Sequence, residues 1–251
     1  MAEHGGNMKR VTKNLIPLVF WLAVWALASL AVGKELFLPS PLRVGGSLLT
    51  LARTADFWLS VSATLGRVFL GLAWGTAAGA ALAFLTHFFP CADWLISPAV
   101  RVVQATPVVS FILLVYLWVS RWAIPWVIAG LMVMPVMWGA LSAGLSSLDG
   151  KLLEFAQAYR FSWLKTLQLI YLPALRFHFS AGLLTAFGLA WKSGVAAEVI
   201  CPPAQAIGSR LQQAKLGLET ADLFAWTLTI IILSLSLEGL LRRGLEGGNW
   251  R

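Results

Sequence analysis

The chain has 251 residues, of which 59% are hydrophobic and only 12% charged, and its mean hydropathy is +0.77. Because soluble domains carry about 25% charged residues, this composition excludes an ordinary soluble fold and indicates a polytopic membrane protein. The net charge of +8 does not indicate nucleic-acid binding, since the basic residues are scattered among apolar segments and form no basic run. We expect them instead to set the membrane topology and to contact anionic lipid headgroups.

The apolar segments predict the architecture. About 20 apolar residues are needed to cross a bilayer as a helix. The sequence therefore predicts an all-α fold with six transmembrane helices, which lie at residues 14–33, 58–86, 92–119, 122–145, 173–200 and 222–241. The apolar run from Leu15 to Val32 is longer than the core of a signal peptide and no clear cleavage site follows it. We expect it to be retained as the first helix.

The connections between these helices are short. Pro39 and Pro41 favour an extended entry after the first helix, and the leucines that follow suggest a short interfacial helix. Ser120 and Arg121 predict a very tight turn between the third and fourth helices. We find neither an inverted repeat nor broken helices. The sequence predicts one membrane domain over residues 1–251, with tails at 1–13 and 242–251 and a loop at 146–172.

The distribution of lysine and arginine predicts the orientation. With the N-terminus in the cytoplasm, ten basic residues lie on that side of the membrane and seven on the other. The bias is modest, but the residues that flank the first and last helices favour the same orientation. We therefore expect both termini and the loop at 146–172 to be cytoplasmic. Cys91 and Cys201 then lie on opposite sides of the membrane and do not pair.

The stretch EFAQAYRFSWLKTLQLIYLPAL, residues 154–175, is too polar to lie in lipid as a spanning helix. At 100° per residue it predicts a short amphipathic helix, for which Asp149 and Gly150 supply a turn and an N-cap. The apolar side, about 100° wide, holds Leu152, Phe155, Ala156, Tyr159 and Trp163, and the polar side holds Lys151, Glu154 and Gln157. A second helical piece is expected at 164–171, before Pro173. Such a helix lies flat on the membrane or fits the groove of a cytoplasmic partner, and the spacing leaves both open.

Glu154, Ala156, Ile170, Leu172 and Pro173 resemble the EAA signature of permease subunits of ATP-binding-cassette (ABC) importers. In that signature, Glu-Ala-Ala is followed at fixed spacing by Gly and then by Ile-x-Leu-Pro. The likeness covers nearly the whole chain from residue 38 onward. Four further segments are similar to the sulfonate, nitrate and taurine branch of these permeases: LPSPLRV at 38–44, SATLGRVFLGLAWGTAAGAALAF at 62–84, SPAVRVVQATP at 97–107 and GLAWKSGVAAEV at 188–199.

The resemblance implies a type I ABC importer permease fold (MetI-like) in the bacterial inner membrane, crossing it several times. It also implies the partners: a second permease copy, an extracytoplasmic substrate-binding protein, and two ABC ATPase subunits that bind ATP and Mg²⁺. In this family the loop is a coupling helix that sits in a cleft on the ATPase subunit, and its movement rocks the membrane helices between inward and outward openings. The residues expected to carry this coupling are Glu154, Phe155, Ala156, Tyr159, Arg160, Ile170, Leu172 and Pro173.

Two positions depart from the signature. Phe155 stands where the second residue is usually Ala, and Arg160 stands in the place of the Gly. Glycine would permit a positive φ or a close backbone approach between the two short helices. Arg160 therefore predicts either an ordinary helical turn there or a slightly different fit on the partner, with the coupling role retained.

Four polar residues, Arg101, Gln104, Lys192 and Glu198, lie within or near the ends of predicted helices and are candidates for the translocation path. An unpaired charge at mid-depth costs at least about 2.5 to 3.5 kcal/mol, so each must face protein, water or another charge. The alternative is an internal structural pair such as Lys192 with Glu198. Two cations would suit the small anions of the matching branch, although relatives in that branch also move vitamin precursors and other heterocycles.

The remaining motifs indicate packing and not chemistry. Gly71, Gly75 and Gly79 form a ridge of small residues that predicts close helix packing. His87 and His178 are isolated, which predicts no metal site, and no GxxxxGK[ST] loop occurs, so we expect no cofactor on this chain. A membrane enzyme would need clustered His, Asp or Glu, and an ion-driven transporter broken helices or inverted halves. We therefore predict a permease subunit and not an enzyme.

Overall fold

The computed structural model of the chain describes residues 3–247, and the side chains of residues 16–245. The described residues form helices and the short connections between them, and no strand. Their α-helices are α1 Glu3–Val32, α2 Pro41–Ala52, α3 Ala55–Phe88, α4 Pro90–Ala105, α5 Val108–Tyr116, α6 Ile124–Ser146, α7 Gly150–Ala158, α8 Trp163–Thr166, α9 Leu172–Ile200, α10 Ile207–Leu216 and α11 Thr220–Gly247. A π-helical segment, Leu167–Tyr171, joins α8 to α9.

The number of candidate spans differs from the predicted six. Four helices are long and apolar enough to cross a bilayer, namely α3, α6, the continuous segment Trp163–Ile200 and Thr220–Leu245 of α11. The pair α4 and α5 is a fifth candidate, and Ile16–Val32 of α1 is a shorter apolar helix. The all-α polytopic fold is thus confirmed. By length and composition, however, the described residues contain four spans, or five if α4 and α5 together form one, and not the predicted six.

The predicted continuous helix over residues 92–119 is wrong. α4 and α5 are bent by 103° at a break between them. Thr106 lies at the break in an extended conformation, with φ −82° and ψ 130°. Pro107 explains it, because proline has no backbone N–H and pushes the residue before it out of the helical region. The expectation of unbroken helices therefore fails here, for a reason that is local in the sequence.

The chain divides into two compact units. One comprises Met1–Trp58 and Arg210–Ile231, and the other comprises Leu59–Ser209 and Ile232–Arg251. That the whole chain acts as one membrane domain stays a prediction.

In the first unit, the proline-rich segment after α1 is held by hydrogen bonds. The Trp25 indole N–H donates to the Pro39 carbonyl oxygen at 3.1 Å. Ser40 then caps α2, since its hydroxyl accepts from the Arg43 backbone N–H at 3.3 Å. The short helix predicted after the two prolines is therefore confirmed. Asp56 forms an ion pair with Arg210 in the same unit.

In the second unit, the glycine ridge of α3 lies against α6. A Cβ added at Gly71 would lie 2.6 Å from the Ala129 Cβ, and one at Gly75 would lie 2.6 Å from the Gly130 carbonyl oxygen. A Cβ at Gly79 would meet the α6 backbone equally closely. Real side chains do not fit at these distances, so the two helices approach at backbone contact. The geometry supports the predicted packing role of the three glycines.

The other face of α6 packs on α9. A Cβ at Gly182 of α9 would lie 2.7 Å from the Ala140 Cβ, and one at Gly144 would lie 2.8 Å from the Leu175 side chain. An apolar cluster extends this packing to α5, and its buried members are Ile112, Val115, Ile124, Ile128, Ala197 and Cys201. α6 is therefore the central helix of this unit.

Candidate functional site: the coupling loop and the membrane charges

The coupling loop, residues 146–172, begins with a capped helix. α7 follows Asp149, whose carboxylate accepts a hydrogen bond from the Lys151 backbone N–H at 2.9 Å. An aspartate here satisfies one of the free N–H groups of the first turn. The predicted N-cap and short helix are therefore confirmed.

The helix ends on a left-handed residue. Arg160 has a φ of +50°. The Phe161 N–H donates to the Ala156 carbonyl oxygen at 2.9 Å, and the Arg160 N–H donates to the Gln157 carbonyl oxygen at 3.0 Å. This pair of bonds is the Schellman ending, in which the left-handed position is usually glycine. Of the two alternatives for Arg160, the ordinary helical turn is therefore wrong, and the different fit on the partner stays a prediction. Arginine adopts the conformation that glycine takes more easily, at a cost of about 1 kcal/mol.

The second departure, Phe155, supports this ending. Its ring centroid lies 6.2 Å from that of Phe161 and 4.3 Å from that of Tyr159. A hydrophobic contact between the residue after the left-handed position and the last helical turn commonly accompanies a Schellman ending. The aromatic residue at 155 therefore stabilises a turn that Arg160 strains.

The apolar side of α7 is only partly covered. Ala156 is buried, whereas Phe155 is 50% and Tyr159 67% exposed. Glu154 is also exposed, on the neighbouring side of the helix. Contiguous exposed apolar surface rimmed by polar groups marks an interaction site. The two rings and the carboxylate can therefore contact a protein groove or a membrane surface.

The second half of the loop leads directly into a membrane-length helix. The Ser162 hydroxyl caps α8 by accepting from the Lys165 N–H at 3.5 Å. α8 continues through the π-helical segment, where the Leu172 N–H bonds to the carbonyl of Leu167. Pro173 lies in the first turn of α9, as predicted. Ile170 is half-buried and Leu172 and Pro173 are exposed.

A buried charge pair joins α3 to α9 in the second unit. The Arg67 guanidinium lies 3.0 Å from one carboxylate oxygen of Glu198. The other oxygen accepts from the Thr64 hydroxyl at 2.9 Å and from the Gly208 backbone N–H at 3.2 Å. Arg67 also donates to the Gln205 carbonyl oxygen at 2.8 Å. Glu198 is 0% and Arg67 5% exposed.

These four residues, Arg67, Glu198, Thr64 and Gly208, form what we name the ion-pair clamp. It also holds the start of α10, because the Ile207 N–H donates to the Thr64 hydroxyl oxygen at 2.9 Å. The carboxylate and the hydroxyl thus satisfy N–H groups that α10 itself leaves free. Such additional hydrogen bonds are what offsets the desolvation of a buried ion pair.

The alternative pair of Lys192 with Glu198 is wrong, since Glu198 binds Arg67. Lys192 is exposed, and so are Arg101 and Gln104 on α4. Neither Arg101 nor Lys192 forms an ion pair among the side chains of residues 16–245. The hydrogen bonds of Glu198 go to none of the other three path candidates.

The sequence analysis did not single out Arg67, Thr64 and Gly208. One signal for Arg67 was available, because it lies inside the predicted span 58–86, where an arginine needs a partner. Which carboxylate serves it depends on how the helices pack. Within the described side chains, no group of three or more His, Cys, Asp and Glu residues could hold a metal ion.

The all-helical fold, its several apolar helices and the capped, exposed loop between α6 and α9 define a membrane transport permease. The chain belongs to the binding-protein-dependent transport system inner membrane component family, whose sequence profile matches residues 71–243. It is a permease subunit of an ABC importer and not an enzyme. Permeases of this family work with an ATPase on a separate subunit and with a substrate-binding protein.

Similar proteins agree with this family. The chain is 27% identical to the taurine transport system permease protein TauC of Escherichia coli (strain K12), over 92% of this chain and 86% of that one. It is 23% identical to the putative aliphatic sulfonates transport permease protein SsuC of Bacillus subtilis (strain 168), over 91% and 83%. A chain in the crystal structure of an amino acid ABC transporter with histidines has the same fold, with a TM-score of 0.58 and 17% identity over 75% of this chain and 91% of that chain.

Proposed function

We propose that two copies of this chain form the path by which a small organic anion, such as an alkyl sulfonate, enters a bacterial cell. Both termini lie in the cytoplasm. Two ABC ATPase subunits, which hold ATP and Mg²⁺, bind the two coupling loops, and an extracytoplasmic binding protein delivers the solute. The similarity to permeases for taurine and aliphatic sulfonates supports this substrate class.

The exposed side of α7 is the observation that carries the proposal. A membrane surface would suit its rings alone, but the family works with an ATPase, and the loop holds the matching signature residues. In the helix-in-groove mode, an amphipathic helix presents anchors at successive turns to a cleft. Phe155 and Tyr159 are such anchors, since they are half or more exposed. Glu154 lies beside them for a charged or polar contact.

The charges on the membrane helices support an anionic substrate. Arg101 and Lys192 are exposed on helices long enough to cross a bilayer, alone or as a bent pair. A cation at mid-depth is stable only against water, protein or an anion. A cation that lines a water-filled path satisfies this requirement, and it attracts anions into the path. Glu198 has a structural role in this proposal, since its carboxylate already accepts three hydrogen bonds within the clamp.

Glu154→Lys tests the docking of the ATPase. The residue is exposed, so the variant should insert and fold normally. We expect it to lose ATPase co-purification and ATP-dependent taurine uptake in proteoliposomes. Glu219→Lys is the matched control, because it makes the same charge change at an exposed residue that is not part of the loop. Wild-type uptake by Glu154→Lys, with the ATPase still bound, contradicts the docking proposal.

Arg101→Gln and Lys192→Gln test the substrate charge. If the cations contact the sulfonate group of the substrate, each variant should need about ten- to a hundredfold more taurine for half-maximal uptake, since hydrogen bonds to charged groups contribute about 1.5 to 3 kcal/mol. Arg53→Gln, at an exposed arginine after α2, should leave uptake unchanged. Equal uptake curves for all three variants contradict a cationic path.

A further inference from the structure

An aromatic cluster joins the coupling loop to the end of α3. Phe88 is the last residue of α3, Trp163 the first of α8, and Tyr171 the last of the π-helical segment. The Phe88 ring centroid lies 5.3 Å from that of Trp163 and 5.9 Å from that of Tyr171, and the latter two lie 5.9 Å apart. All three distances fall in the range of interacting aromatic pairs. Each ring therefore contacts the other two.

His87 adds a fourth ring to this cluster. Its imidazole centroid lies 6.3 Å from that of Tyr171 and 5.0 Å from that of Phe88. Tyr171 is buried among these rings. The π-helical turn that ends at Tyr171 is a rare conformation, and such turns are frequent at functional sites. The cluster thus lies where the loop changes into α9.

The cluster connects elements that the chain itself keeps apart. The loop is covalently continuous with α6 and α9, but α4, α5 and α6 separate it from α3 in the sequence. A displacement of the loop therefore reaches α9 through the backbone, and it reaches α3 across the rings. From Phe88, the straight rise of an α-helix places Arg67 about 30 Å further along α3. There the ion-pair clamp binds α3 to α9 and α10.

We propose that the ring contacts of Phe88 with Trp163 and Tyr171 transmit movement of the docked coupling loop to α3, which makes Phe88 and Trp163 positioning residues for ATP-driven transport. This inference rests on the proposed docking of the ATPase at the coupling loop. α3 then moves as one rigid element, because the rings hold one part of it and the clamp holds another. Two sites coupled through such an element share a free energy that can be measured.

The test measures movement of α3 in the assembled transporter, in the half of the helix that lies away from Phe88. Ser62 is exposed on α3, and a bimane fluorophore on Ser62→Cys reports its surroundings, in a chain with Cys91→Ser and Cys201→Ala. The permease is purified with its ATPase in lipid nanodiscs, and the fluorescence is compared without nucleotide and with ATP and vanadate. No transported solute is needed. ATPase co-purification is recorded for every variant.

The variants remove the rings one at a time. With ATP and vanadate, α3 molecules divide between the ATP-induced position and the nucleotide-free position, and the fluorescence gives the ratio of these two populations. Phe88→Ala and Trp163→Ala should lower this ratio about two- to tenfold, which is the effect of one lost aromatic pair. Phe88→Tyr and Trp163→Phe should restore it. The matched controls, Leu85→Ala and Leu164→Ala, remove apolar side chains of similar exposure next to the cluster and should leave the ratio unchanged.

The outcomes separate this inference from the proposed function. If the ATPase stays bound and the alanine variants shift as fully as the wild type, the ring contacts do not transmit the movement. The inference is also overturned if ATP does not change the fluorescence of the labelled chain with all its rings intact while the ATPase is bound and active. Loss of the response equally in Leu85→Ala and Leu164→Ala would assign the effect to general packing and overturn it as well. If the wild-type loop does not retain the ATPase, the proposed function itself fails.

Discussion

The coupling loop and the ion-pair clamp use charge in opposite ways. In the loop, Glu154 and Arg160 are exposed and remain available to a partner. In the clamp, Glu198 and Arg67 are buried, and the carboxylate accepts from three donors of the same chain. Water solvates a charge outside the helix bundle, whereas a charge inside it must find its partners in the fold. The charges of the loop are therefore free for the partner that we propose, whereas those of the clamp hold helices of the fold together.

The clamp gives the largest expected effect. Arg67→Ala should lower the free energy of unfolding by about 3 to 5 kcal/mol, because it leaves the Glu198 carboxylate buried without its counter-charge. Thermal and denaturant unfolding in detergent micelles measure this change. The double variant Arg67→Met with Glu198→Leu should lose much less, since no charge stays buried. If Arg67→Ala and the exposed control Arg53→Ala have the same melting temperature, the buried pair contributes no more to stability than an exposed charge, and the contrast between clamp and loop fails.

The glycine ridge tests whether the rest of the second unit is packed as tightly as the clamp. Gly75→Ala should destabilise the protein by about 1 to 3 kcal/mol, since its Cβ would lie 2.6 Å from the Gly130 carbonyl oxygen. Gly139→Ala is the matched control, because nothing lies within 4 Å of its Cβ, and it should be neutral or slightly stabilising. The same unfolding assay compares them. Equal stability of the two variants would contradict the close approach of α3 and α6.

The left-handed turn gives a smaller effect, confined to the loop. Arg160→Gly should stabilise the end of α7 by about 1 kcal/mol, because glycine adopts a positive φ without strain. Arg160→Val should weaken the same turn. Hydrogen exchange of the Phe161 backbone N–H measures both changes. Faster exchange in Arg160→Gly than in the wild type would contradict a strained Schellman ending.

Cysteine labelling gives the mildest test, because in the wild type it requires no substitution. Cys91 is exposed and should react with maleimide in the native protein, whereas Cys201 is buried and should react only after unfolding. Burial also raises the pKa of the Cys201 thiol, so its reactive thiolate is scarce at neutral pH. Cys201 lies three residues after Glu198, and Arg67→Ala should therefore expose it to the reagent. Protection of Cys201 in that variant would show that the region does not depend on the clamp.

The parts of the site that were predictable depend on short stretches of sequence. Asp149 as an N-cap, Pro173 in the first turn of α9 and the amphipathic side of α7 follow from residue type and helical spacing. The break at Thr106 and Pro107 is equally local, and the apolar run around it obscured a signal that was present. The conformation at Arg160 was not predictable from residue type. Arginine disfavours a positive φ, whereas the hydrogen bond of the Phe161 N–H and the contact of the Phe161 ring with Phe155 favour it.

By itself, the sequence determined the class of this protein. Hydropathy and the spaced signature of the loop are local properties, so they indicate an all-helical membrane permease, and predict a docking element in it, before any helix is packed. Only the tertiary structure decided that Glu198 pairs with Arg67 and not with Lys192, and that Phe88 meets Trp163. These contacts join residues far apart in the chain. Their identity depends on how close the helices can approach, which the packing of whole helix faces determines.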